Sequence, residues 1–167
     1  MNHLKPLIIV LILMMLALTA LGCSNLGYQN GVVSIDLSLN IGKLNSIVSG
    51  IGGKDSDFIG KIDKIELIEP NIMRITGDFR LESGKVEPGS IDFAFAARNG
   101  ALAVQVEQVD VSGLSLDSPV IKKFNDTLGK AFNAEVANSN ENQSGVSDVK
   151  VKDNKLVITV KIKVKGQ

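Results

Sequence analysis

The chain has 167 residues, 44% hydrophobic and 22% charged, with 18 lysines and arginines against 18 aspartates and glutamates. So even a balance carries no nucleic-acid footprint. The only histidine, His3, and the only cysteine, Cys23, fall within the first 23 positions and tryptophan is absent, so the rest of the chain excludes a histidine-based triad, a cysteine nucleophile and a zinc site of His or Cys ligands.

The first element is a leader. Lys5 supplies a short basic start, residues 6–22 run 17 positions without a charge, and small residues close the stretch. That order reads as a secretory signal peptide. The alternative is an uncleaved helical anchor, and 17 residues fall short of the roughly 20 that a spanning helix needs. Ala20-Leu21-Gly22-Cys23 resembles the lipobox of bacterial lipoproteins, with Ala where Leu is commoner. The resemblance implies that residues 1–22 are removed and that Cys23 becomes an acylated N-terminus. It also implies that the protein is extracytoplasmic, lipid-anchored to the plasma or outer membrane. Residues 23–31 then form the lipidated start and a polar tether, and residues 32–167 one domain. With Lys5 gone, that processed chain carries one more acid than base.

Val33, Ile35, Leu37 and Leu39 alternate with Val32, Ser34, Asp36 and Ser38, the period of a half-buried strand. Ile41, Leu44, Ile47, Val48 and Ile51 recur at three- and four-residue steps and predict a short amphipathic helix, capped by Ser38 or Asn40 and stopped by Gly50, Gly52 and Gly53. Phe58 and Ile59 are expected to open a second helical turn. A strand is predicted from Ile65 and Leu67 to the turn at Glu69-Pro70-Asn71. Met73, Ile75, Gly77, Phe79 and Leu81 then form one face of the clearest strand in the chain.

Asn99-Gly100 is a two-residue hairpin signal. Closing on it pairs Arg98 with Ala101, Ala97 with Leu102, Phe95 with Val104 and Phe93 with Val106. Register and hydrophobic pattern then agree. The phase slips after Gln108, where Val109 and Val111 take the other parity, so a bulge or bend is expected near there. Ser118-Pro119 predicts a helix start, followed by an apolar stripe of Val120, Ile121, Phe124, Leu128, Ala131 and Phe132. After a polar loop, Asp153-Asn154 closes a second hairpin that pairs Val151 with Leu156 and Val149 with Ile158. Lys150, Lys152, Lys155, Lys161, Lys163 and Lys165 share the face opposite the apolar one or its rim. They either protect an exposed or edge strand or meet anionic lipid headgroups, at roughly 1 kcal/mol each.

No nucleotide-binding glycine motif is present. Asp55-Ser56-Asp57 lacks the glycine and distal glutamate of a calcium loop. Carboxylate or Ser-Lys chemistry stays formally open, but no subset of the acids stands out by spacing. The sequence implies no enzyme activity, no cofactor and no metal.

The order of strand, helix, long meandering strands, Pro-capped helix and final hairpin resembles the small bacterial members of the tubular lipid-binding (TULIP) superfamily. The match covers about residues 31–164, on element order and apolar pattern, with no diagnostic motif. The resemblance implies an α+β fold: a strongly curved antiparallel sheet, a meander of hairpins, wrapped on one long amphipathic helix, plus a short N-terminal helix. It also implies an apolar groove for acyl chains of phospholipid or another lipid. Such chains would lie between Phe79, Phe93, Phe95, Val104 and Val106 of the sheet and Phe124, Leu128 and Phe132 of the helix. The residues support this independently, since five or six one-faced strands offer more aliphatic surface than two modest helices need cover. The competing expectation is a closed core in a non-enzymatic envelope structural or interaction lipoprotein. Protein partners are not identified by the sequence.

Overall fold

The computed structural model describes residues 26–29, 32–52, 58–138 and 144–163. Eight strands and two helices alternate along them: β1 (Leu26–Gln29), β2 (Val32–Asn40), α1 (Ile41–Gly52), β3 (Ile59–Ile68), β4 (Ile72–Arg80), β5 (Val86–Arg98), β6 (Ala101–Val111), α2 (Pro119–Asn138), β7 (Ser144–Lys152) and β8 (Lys155–Lys163). The fold is α+β and every strand pair is antiparallel. The strands divide into two open four-stranded sheets where one continuous sheet was expected. The terminal sheet has the order β1-β2-β8-β7 and the meander sheet the order β3-β4-β5-β6. Four residues of the segment read as a tether, Leu26–Gln29, add a strand to the terminal sheet.

Local chemistry explains the boundaries. Chain direction changes from strand to helix without a loop at Asn40, whose side-chain Oδ1 accepts the Lys43 N–H at 2.9 Å, an N-cap bond. Pro119 opens α2 and needs no N–H partner there. Both tight hairpins require left-handed backbone: Asn99 and Gly100 in one, Asp153 and Asn154 in the other, all with positive φ. The β5–β6 and β7–β8 registers are those the sequence predicts. Between β5 and β6, Asp92 faces Gln108 and Phe93 faces Val106, so Glu107 is the extra residue of the expected bulge. The short helical turn expected at Phe58 and Ile59 is absent: Ile59 begins β3, opposite Phe79.

The inner faces of both sheets and the apolar sides of both helices bury one continuous core. The sheets join at a corner. The β7 edge is bonded by two turns of the meander sheet, Val146 N–H to the Gly100 carbonyl at 2.8 Å and Val151 N–H to the Pro70 carbonyl at 2.6 Å.

Helix α2 closes a different edge. Asn133 Oδ1 accepts the Leu102 N–H at 3.1 Å, and its Nδ2 donates to the Leu102 carbonyl at 2.7 Å. Asn125 Oδ1 accepts the Val106 N–H at 3.0 Å. The spacing fits because eight helical residues rise about 12 Å and four strand residues about 13 Å. Two asparagine side chains thus occupy positions on β6 that a neighbouring strand would otherwise fill.

Candidate functional site

The residues expected to line an acyl groove come from four elements. Phe79 ends the inner face of β4, Phe93 and Phe95 lie on β5, and Val104 and Val106 lie on β6. Phe124, Leu128 and Phe132 recur at four-residue steps on α2, which places them on one side of the helix. The structure brings all eight into the space between the meander sheet and α2. Seven are buried, and Val104 is half-buried.

These side chains fill that space themselves. Phe93 and Phe124 meet edge to face with centroids 5.7 Å apart, and Phe95 and Phe132 do so at 5.0 Å. Phe58 bridges the others, 5.5 Å from Phe79 and 5.3 Å from Phe124. Each such pair contributes about 0.5–1.5 kcal/mol beyond its buried area. Phe58 is not in the expected set, since the sequence reading assigns it to a helical turn; an isolated aromatic just ahead of an aliphatic run is its only signal. The cluster contains no ionisable side chain, so it can exclude water and hold α2 but cannot move a proton.

Open space lies outside the aromatic cluster, on the flank of α2, where Val106 and Val104 of the expected set each border a hollow. One hollow of about 300 Å³ is lined by Gln105, Leu116, Asp117, Ile121, Lys122 and Asn125, among others. A second of about 260 Å³ sits over the outer face of the meander sheet, against Ala94, Ala96, Arg98, Ala103, Gln105 and Asn125. The two share Gln105 and Asn125.

That outer face also carries the best-organised charge. Arg74 makes a two-pronged ion pair with Asp92, Nε to Oδ1 and Nη2 to Oδ2, both 2.7 Å. The Asp92 hydrogen bond, and then its charge, hold the Arg74 guanidinium above its ordinary pKa, with Glu66 and Asp110 adding to the effect. Lys61 is raised by its hydrogen bond to Asp63 and by that carboxylate's charge. These pairs order the sheet surface, and among the described residues no group of three or more His, Cys, Asp or Glu side chains could hold a metal.

Cys23 lies outside the described residues. No helix among the described residues is long and apolar enough to cross a membrane. No protein-family model matches the chain, and neither a curated protein nor a solved structure matches it.

Proposed function

We propose that this protein is a non-enzymatic bacterial envelope lipoprotein, acylated at Cys23, whose folded domain has a closed interior and works through its surface. The observation that carries the closed interior is the aromatic cluster: Phe79, Phe93, Phe95, Phe124 and Phe132, with Leu128 among them, are almost wholly buried and stand in ring contact rather than around a void. The lipobox resemblance supports the anchor. Acylation of the processed cysteine with two or three chains, as that resemblance implies, gives stable attachment where one chain would not.

One observation favours a second reading, an acyl-chain carrier. The hydrogen bonds from α2 to β6 run through Asn125 and Asn133 side chains and not through a backbone ladder. Lifting the helix would expose Phe93, Phe95, Val104 and Val106 to a lipid tail, with the meander sheet curling around the helix as the TULIP resemblance implies. Binding would then follow apolar burial, about 0.8 kcal/mol per methylene, with little discrimination between headgroups.

Mass spectrometry of the protein extracted from membranes separates these readings. The N-terminal peptide is expected to start at Cys23 and carry acyl groups, while the gently ionised protein holds no further lipid. A chain that begins at Met1 with a free thiol rejects the anchor. A phospholipid or fatty acid retained at one per protein rejects the closed interior in favour of the carrier.

A further inference from the structure

The lysines of the final hairpin were open to two explanations, and the topology removes one. Strand β8 is not an edge: from Lys155 to Ile162 it lies between β2 and β7. Nor is the outer side of β7 free, since the Gly100 and Pro70 carbonyls bond it. Lysines that keep an open edge from pairing therefore have no edge here to protect. Among the described side chains, Lys150, Lys152, Lys155 and Lys161 cover a sheet face; Lys165 lies outside the described residues.

That face is basic. On β8, Leu156, Ile158 and Val160 point into the core, so Lys155 and Lys161 point outward by strand alternation. Lys155 faces Lys152 across the β7–β8 ladder, and Lys150 faces Val157. Ser34, Ser38 and Asn40 of β2 add uncharged positions to it. Two acids share the face. Asp36 accepts a hydrogen bond from the Thr159 hydroxyl at 2.7 Å, and Asp148 lies 3.4 Å from Lys150 Nζ. The chain after Cys23 carries one more acid than base, so a basic face leaves the remaining surface net negative. The charge is segregated.

We propose that this outer face of the terminal sheet rests on an anionic membrane leaflet. The proposal builds on acylation at Cys23, which stands three residues before the first residue of β1. Three residues reach about 10 Å at full extension, close to the Debye length of about 8 Å at physiological ionic strength. An anchored chain thus cannot hold the terminal sheet clear of the headgroup field. The sheet's inner face is committed to the core, which leaves its outer face or the β1 edge to meet the leaflet. Attraction of roughly 1 kcal/mol per lysine near an anionic surface selects the face.

The test reconstitutes the acylated protein in vesicles of phosphatidylcholine alone and of phosphatidylcholine with phosphatidylglycerol. Amines are acetylated briefly and the sites read by peptide mass. Lys150, Lys152, Lys155 and Lys161 are expected to label about fivefold less on the anionic vesicles, with the difference lost in high salt. Lys64, Lys85 and Lys122, all well exposed elsewhere, should label alike on both. Reversing two charges, Lys155→Glu with Lys161→Glu, should restore labelling of Lys150 and Lys152. The same digest reports the Cys23 peptide. Equal labelling on the two vesicle types with Cys23 acylated overturns the membrane face and leaves the anchor standing; an unacylated Cys23 overturns both.

Discussion

Replacing Asn133 by alanine tests whether a side chain can stand in for a strand. In the native protein this residue satisfies both backbone groups of Leu102, and Leu102 is only 2% exposed. Alanine removes both partners without altering the helix backbone. An orphaned buried donor or acceptor costs about 1–3 kcal/mol. Asn133 itself is half-buried, so water reaches part of the site and the lower end applies, about 2 kcal/mol for the pair. For a domain of this size each kcal/mol moves the melting temperature about 2–4 °C, giving an expected fall of about 4–8 °C by circular dichroism. Asn125→Ala removes one bond, to Val106 N–H, and should cost about half as much. The two sites are about 12 Å apart along the helix, so their effects should add within about 0.5 kcal/mol. Asn133→Asp keeps an acceptor for the Leu102 N–H but turns a carboxylate toward the Leu102 carbonyl, and should be no more stable than the alanine variant. An Asn133→Ala protein melting within about 1 °C of the parent would refute the idea that asparagine side chains hold α2 to the β6 edge.

A methyl group at Gly77 would strike the backbone carbonyl of Lys61, where β3 bulges against β4. Backbone cannot yield as a flexible side chain can, so Gly77→Ala should lose about 2 kcal/mol or more, read as a lower urea midpoint at unchanged slope; an unchanged midpoint would show that β3 shifts freely. Lys61 has its pKa raised above 10.5 by Asp63. A raised amine contributes its stabilisation in full below the unfolded pKa and loses it as pH climbs through the folded one. The melting-temperature difference between the parent and Lys61→Met should therefore stay flat between about pH 6 and 9 and narrow only at higher pH. A difference that varies across the neutral range would assign the dependence to another group.

Local signals carried much of the fold. Asn99-Gly100 and Asp153-Asn154 announce their hairpins because both central positions need positive φ, and each turn then fixes the pairing of the strands beside it. The phase slip after Gln108 announced the bulge at Glu107. Strand β3 was misread at its start for a physical reason. Its ladder to β4 skips Gly60 and Asp63, so Ile59, Ile62 and Ile65 return to the inner side every third residue, a spacing that suggests a helix. The division into two sheets left no local trace. It depends on β2 pairing with β8, residues more than a hundred positions apart. The closure of β6 by Asn125 and Asn133 was equally hidden, since two asparagines eight residues apart on a helix look like ordinary solvated positions until the strand beside them is known.

The same distant pairing decides how the proposed anchor at Cys23 would bear on charges at the other end of the described chain. Leu26 faces Ile35, and Ile35 faces Val160. With about 4.8 Å between neighbouring strands, the strand nearest Cys23 and the middle of the lysine-bearing strand are only about 10 Å apart. Had the final hairpin paired with the meander sheet instead, its lysines would have been carried away from the anchor, and attraction to a charged leaflet would have competed with the tether. Joined in one sheet, the proposed tether and the charge would act on the same element. On the proposed membrane face, a modest attraction per lysine would then orient the whole domain, because tilting the sheet away from the leaflet would withdraw all of its lysines together.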